Sequence, residues 1–288
     1  YKISRQMMED ITQYTRMLRG QGDIPKTRLL ENEPAMNLMT ATPDFSELLS
    51  SGMAAPGKPL VLGYTRGGEP RYSKLQDLKT LAVAGLQGSG KSYSMAYLIA
   101  SAVLSTNCRT YVIDPHHQHP QSLSALIQPL EQSGFVSVVN PFDTPTLIRN
   151  LNQTLDRRLA GEEASAPPIL LVIDELARLS TMDCFDELLA FLERCTEEIR
   201  KANIVFIGSS HKWTARHFKG RADIRRCMNS MLIHRTKPSQ ANLLLEDTSD
   251  KNLVKQIQQP GEAILVTDYG EPTLVTIPRC SHEHMQQV

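Results

Sequence analysis

Twelve residues constrain this chain more than any others: Leu81-Ala82-Val83-Ala84-Gly85-Leu86-Gln87-Gly88-Ser89-Gly90-Lys91-Ser92. Four apolar residues lead into G-x-x-x-x-G-K-S, and a helix-forming run, Tyr93 to Leu104, follows. That strand, loop and helix order is what a phosphate-binding loop requires. Gly85, Gly88 and Gly90 let the backbone fold tightly and turn its N–H groups toward phosphate oxygens. The positive end of the following helix points the same way. Lys91 is expected to reach the β- and γ-phosphates, and the Ser92 hydroxyl to bind magnesium. Gln87, Ser89 and Tyr93 complete the expected nucleotide contacts. A glycine-rich turn matching by chance is the bland alternative, and four fixed positions with the right flanks outweigh it. The sequence therefore predicts a chain that binds ATP with Mg2+.

The 288 residues suffice for one large domain, or one domain with an appendage. A hydrophobic content of 41% and a charged content of 22% are ordinary for a globular protein. No apolar run approaches the ~20 residues of a membrane helix, and no secretory signal pattern is present. The chain opens on Tyr1 and reads as a piece that an upstream domain could precede. Cys108, Cys184, Cys195, Cys227 and Cys280 show no C-x-x-C spacing, so a reducing cytoplasm is the expected location. Net charge is zero, yet Arg194 to Lys237 holds 11 Lys/Arg against 3 Asp/Glu. A polyanion partner and a solvated, salt-bridged face both account for such a segment.

Along the chain, Ile3, Met7, Ile11, Tyr14 and Leu18 recur at helical spacing, which predicts a helix over residues 3 to 19. Residues 21 to 59 read as a linker with one short helix, Asp44 to Leu49. The division is thus an N-terminal helix and linker, 1–59, and a main domain, 60–288. Leu60 to Tyr64 and Pro70 to Ser73 predict a hairpin. Strands and helices then alternate. The strands are Leu81–Ala84, Thr110–Ile113, Phe135–Val139, Ile169–Ile173, Ile204–Ile207 and Met231–His234. The helices are Ser92–Leu104, Ser122–Gln132, Thr146–Leu159 and Asp183–Lys201. Ala263–Thr267 and Thr273–Ile277 form a terminal hairpin. This order predicts an α/β fold with a mainly parallel sheet covered on both faces and hairpins flanking it.

The apolar strand Ile169 to Ile173 ends in Asp174-Glu175. Asp174 is expected to hold magnesium, and Glu175 to take the proton from water attacking the γ-phosphate. Surface acids also end many strands, but here a phosphate loop precedes the pair. After Ile204 to Ile207 comes Gly208-Ser209-Ser210-His211, where Ser210 is the candidate γ-phosphate sensor and His211 the reserve. Arg200 follows the apolar stripe Phe185, Leu188, Leu189, Leu192, Cys195 and Ile199. By spacing it complements the helix C-terminus; the sharper reading is an arginine finger for a neighbouring subunit. His116, His117 and His119 invite a zinc reading, but a polar loop near the nucleotide or a pore fits better.

Together these segments resemble the FtsK/HerA superfamily of ring-forming motor ATPases, over roughly residues 60 to 277. The resemblance rests on the phosphate loop, on Val112-Ile113-Asp114-Pro115 and on Leu171-Val172-Ile173-Asp174-Glu175. Ile199-Arg200-Lys201-Ala202-Asn203-Ile204 and Gln259-Pro260-Gly261-Glu262-Ala263-Ile264-Leu265 reinforce it. It implies a RecA-like P-loop NTPase core, a homohexameric ring, and ATP-driven movement of DNA through the central pore. It also raises Arg200 as the finger acting in trans. The family usually ends its sensor strand with Gln where this chain has Ser210. Sequence-directed loading by an added C-terminal DNA-reading domain is not expected from these residues alone.

The basic segment gains a meaning from that resemblance. Lys212, Arg216, Lys219 and Arg221 are candidates to grip backbone phosphates of DNA without reading sequence. Trp213 and Phe218 suit either stacking on bases or plugging a subunit interface, and Trp213 is read as interface. The expected function is an ATPase translocating DNA, double-stranded by preference. Alternatives are a conjugation or secretion ATPase moving single-stranded DNA or protein, and a nucleotide-switched binding module with little turnover.

Overall fold

The structure, a computed structural model, describes residues 42–163, 166–245, 251–267 and 270–288. The side chains of Glu197, Ile199, Arg200, Lys201 and Lys251 also lie outside the description, as does the helix expected over residues 3 to 19.

The run Ile169-Leu170-Leu171-Val172-Ile173 explains the architecture. Successive side chains of a strand point to opposite faces, so an uninterrupted apolar strand needs cover on both. Ile169, Leu171 and Ile173 join one buried cluster with Leu147, Leu151, Leu188 and Leu192. Leu170 and Val172 join the other, with Leu48, Met95, Ile99 and Val103. Helices Thr144–Leu159 and Phe185–Ala202 cover the first face, and helix Lys91–Thr106 covers the second.

The ten strands are β1 (Leu60–Thr65), β2 (Pro70–Ser73), β3 (Thr80–Ala84), β4 (Arg109–Ile113), β5 (Val136–Val139), β6 (Ile169–Ile173), β7 (Ile204–Ser210), β8 (Ser230–His234), β9 (Glu262–Thr267) and β10 (Gly270–Thr276). They form one sheet in the order β2-β1-β10-β9-β8-β3-β7-β6-β4-β5. Strands β8, β3, β7, β6, β4 and β5 run parallel. The remaining pairs, from β8–β9 out to β1–β2, are antiparallel. The sheet is thus the mainly parallel, doubly covered one expected, with the hairpins at one edge. The inserted strand β7 separates β3 from β6, so the phosphate loop and Asp174-Glu175 end up two strands apart on one sheet edge.

Four expectations need correction. Residues 42–59 of the segment read as linker are packed on the core. Asp44 caps helix Phe45–Ser50 in a capping box, and Phe45 and Leu48 are fully buried. The backbone N–H of Phe45 donates to Arg279 O at 2.9 Å. The single helix Ser122–Gln132 is two, Leu123–Leu126 and Gln128–Gln132, broken at Ile127. Pro129 has no N–H to give the carbonyl four residues back. That carbonyl, Ala125 O, is met instead by His282 Nε2 at 2.9 Å. Strand β7 runs through Gly208-Ser209-Ser210, past the end expected at Ile207, because Ser209 and Ser210 pair with Val83 and Ala84 of β3. Finally, Trp213 and Phe218 serve neither an interface nor bases. They are buried inside the chain, with ring centroids 5.7 Å apart, and Phe218 stacks on Phe185.

Candidate active site

The phosphate loop leaves β3 and enters helix Lys91–Thr106 at Gly90, whose φ of 103° few side chains tolerate. A Cβ there would lie 2.8 Å from the backbone nitrogen of Gly261, so the loop lies directly on the turn before β9. The N–H of Gly261 donates to Ser89 O at 3.3 Å, and the N–H of Leu86 to Arg235 O at 3.0 Å. The antiparallel edge of the sheet is therefore the loop's floor. The first-turn N–H groups of the helix have no intrahelical acceptor and are available to an anion.

Lys91 folds back over this loop. Its Nζ donates to Gly85 O at 2.9 Å and Leu86 O at 3.1 Å. Burial pushes its ammonium below the usual lysine range, while Glu175 and Asp174 pull it upward. Asp174 is buried at the end of β6. Desolvation raises its carboxyl above the usual range, and the neighbouring Asp114 and Glu175 add to that; the Ser209 hydroxyl, which donates to Oδ1, and Lys91 oppose it. A buried acid so destabilised in its charged form suits a divalent cation. Its partner in the cleft, the Ser92 hydroxyl, is another hard oxygen donor. The residues fit magnesium.

Glu175 occupies the left-handed region, φ 49° and ψ 59°, which is uncommon outside glycine. This turn swings the side chain across to β7. Oε1 lies 3.1 Å from Ser210 Oγ, and Oε2 lies 2.8 Å from His211 Nδ1. Ser210 Oγ is also 2.9 Å from Lys212 O, so its single proton serves one acceptor at a time. The backbone N–H of Glu175 donates to Ser209 Oγ at 2.9 Å, which fixes the turn. Candidate base, sensor and reserve thus meet in one cluster.

The cleft over these strand ends measures about 790 Å3 and includes Gln87, Gly88, Gly90, Lys91, Ser92, Tyr93, Asp174 and Glu175. Ser89 is different: its side chain is turned under the loop and 1% exposed. Sequence reasoning missed Ser209 and also Arg178, one helical turn beyond Glu175 in the cleft wall. It set aside His116 and His119 as a polar loop near the nucleotide, and they too line the cleft. Asp114 explains why: it accepts from His116 N at 2.8 Å and from Ser124 N and Oγ at 2.9 Å, pinning that loop.

Of the basic candidates, Lys212, Arg216 and Lys219 are exposed and make no ion pair among the described residues. Arg221 is engaged: it pairs with Asp223 at 3.0 Å and with Asp186. Arg200 lies in helix Phe185–Ala202, but its side chain is outside the described residues.

Residues 76–215 match the family model of an AAA domain. The pCW3 conjugation coupling protein TcpA, solved with ATPγS, superposes with a TM-score of 0.59 at 16% identity, over 76% of this chain and 65% of that one. The type VII secretion ATPase EccC of Thermomonospora curvata gives 0.62 at 15%, over 83% of this chain and 32% of its cytoplasmic domain. VirB4 of Thermoanaerobacter pseudethanolicus gives 0.54 at 14%, over 80% of this chain and 98% of that one. No curated protein matches by sequence. The fold and the strand-end site define a P-loop ATPase, with ATP and Mg2+ as its ligands. Its fold is the RecA-like arrangement the motifs implied. Among the described residues no helix is long and apolar enough to cross a membrane.

Proposed function

We propose that this chain is the motor domain of a cytoplasmic ring ATPase that moves DNA, preferentially double-stranded, through a central pore as a homohexamer. The observation that carries the hydrolytic part is the carboxylate of Glu175, turned into the same cleft as Lys91 and held at one oxygen by Ser210 of β7 and at the other by His211 just after it. A switch that only binds nucleotide has no need of a base so held.

In this reading the loop N–H groups and Lys91 hold the β- and γ-phosphates, Lys91 leaving its own loop carbonyls to do so. Ser92 and Asp174 would hold magnesium, which would supply positive charge to offset the negative charge developing on the phosphate oxygens. Glu175 orients the attacking water and takes its proton as oxygen bonds to the γ-phosphorus and the bond to ADP breaks. Ser210 reports the γ-phosphate to Glu175 through their shared hydrogen bond. Arg200 of a neighbouring subunit completes the site. Lys212, Arg216 and Lys219 grip backbone phosphates. Arg221 belongs with them by sequence, but its two carboxylate partners favour a structural role.

The test is steady-state ATP hydrolysis at low and moderate salt with no DNA, duplex or single strand, using Glu175→Gln as the blank. Stimulation by duplex supports the proposal. Preference for single strands favours a conjugation role, since TcpA is a conjugation coupling protein. Turnover indifferent to both favours a protein cargo, in line with the likeness to a secretion ATPase. No turnover above the blank leaves a nucleotide-switched binding module.

A further inference from the structure

Among the described residues, two buried polar atoms on residues flanking Gly85 lack partners. One is the Ser89 hydroxyl and the other is Nε2 of His234, the last residue of β8 and completely buried. The two side chains border one point. A Cβ built on Gly85 would lie 2.5 Å from Ser89 Oγ and 2.8 Å from His234 Cβ. The imidazole tautomer follows from its neighbour: Nδ1 lies 3.1 Å from Glu262 O, an acceptor, so Nδ1 carries the hydrogen. Nε2 is then a bare acceptor. Burial holds the ring neutral, with its pKa pushed down to about 4.

One atom is a donor and the other an acceptor, and leaving either unmet in a protein interior is costly. Ser89 Oγ faces under the loop and not into the cleft, so a nucleotide phosphate is not its partner. Ser89 O is itself tied to Gly261. The opposite side of the pocket, Gly85 and Leu86, is held by the Lys91 ammonium on their carbonyls. When Lys91 turns to phosphate, those carbonyls are released and the Gly85–Leu86 backbone is free to settle.

We infer that His234 is a positioning residue of the phosphate loop, its Nε2 accepting a hydrogen bond from the Ser89 hydroxyl once nucleotide draws the loop into its loaded shape. The inference rests on the nucleotide-binding reading of the loop. It gives the β8 residue a place in ligand affinity without any contact to the ligand, and it accounts for Gly85, whose side chain would collide with both Ser89 and His234.

The test is a double-mutant cycle on the 288-residue chain: Ser89→Ala, His234→Phe and both, titrated with fluorescent ADP at fixed Mg2+. Each single change is expected to weaken binding about 10-fold, and the double change by little more than either alone. Losses that multiply to about 100-fold, or a His234→Phe chain that binds like wild type, overturn the inference. A second readout needs no core substitution in the chain observed. With 15N-histidine label, the bare Nε2 resonance, assigned as the one missing from His234→Gln, should move upfield on adding ADP. It should stay put in Ser89→Ala. A resonance that ADP does not move in the wild type also overturns the pairing. A wild-type chain that binds no ADP overturns the site reading and the inference with it; ADP binding without coupling overturns the inference alone.

Discussion

The strand-end cleft and the basic segment after β7 were drawn from the same kind of sequence clue, chemistry-bearing residues at close spacing, and the fold treats them oppositely. In the cleft, residues distant in sequence converge: Lys91, Asp174, Glu175 and His211 come from three strand ends that lie side by side. In the segment Lys212 to Arg226, residues adjacent in sequence diverge. Trp213 and Phe218 turn into the core, Arg225 donates to Trp213 O at 3.0 Å, and Arg221 is bound to Asp223 and Asp186. Only Lys212, Arg216, Lys219 and Arg226 remain as exposed cations of that stretch. Sequence density measures function well when a sheet gathers the residues, and poorly when one loop must both fold itself and face outward.

The largest expected effect would break this contrast if absent. Glu175→Gln keeps the shape of the side chain but cannot take a proton, so turnover should fall on the order of 10²- to 10⁴-fold. ATP affinity, measured by titration, should change far less. Equal losses in affinity and turnover would make Glu175 a structural acid, no different in kind from Asp223. On the other side of the comparison, Trp213→Ala should destabilise the chain by about 3–5 kcal/mol in denaturant unfolding. Trp213→Phe should cost clearly less, because the indole N–H has no partner to lose among the described residues. A neutral Trp213→Ala would return that side chain to the surface.

What the sequence made legible was local in both regions. The phosphate loop and the Asp174-Glu175 strand end are contiguous, and an apolar strand in front of each fixes their setting. The stripe Phe185, Leu188, Leu189, Leu192 and Cys195 was legible too, because helical periodicity alone buries it. Ser209 was not, since its value depends on β7 lying between β3 and β6, a neighbour relation that no single segment encodes. His234 was hidden for the same reason: it reads as one polar residue ending an apolar strand, and only the sheet order puts it under Gly85. The break at Ile127 was within reach, as Pro129 marks it. Trp213 and Phe218 misled because aromatic residues among cations suit a nucleic-acid surface and a local core equally well.

The next effect concerns the floor that joins the two halves of the sheet. His234 is neutral when folded, with a pKa of about 4 against an ordinary value of 6.5. Its folded pKa is depressed, so the unfolded chain binds the proton more readily. Stability associated with this residue is therefore complete above pH 6.5 and is lost as pH falls toward 4, by roughly 3 kcal/mol. Unfolding free energies of His234→Phe should fall less steeply over that window than those of the wild type. Asp174, whose pKa is raised, works in the opposite direction, so the difference between the two chains is the quantity to read and not either profile alone.

The smallest effect sharpens the contrast within the basic segment itself. If Lys212 and Lys219 grip a nucleic-acid backbone, replacing each by Ala should lower the slope of log affinity against log salt by about 1, and do so alike for duplexes of any sequence. The positive field there is already visible at His217, whose imidazole is held below its ordinary value by burial first and then by Lys212, His211 and Arg216. Arg221→Ala should leave the salt slope unchanged, because its guanidinium is already spent on Asp223 and Asp186. Fluorescence anisotropy with a labelled duplex at three salt concentrations separates the cases. If Arg221→Ala lowers the slope as much as the lysine changes do, the carboxylates release it to DNA, and charge density in the sequence was the better guide after all.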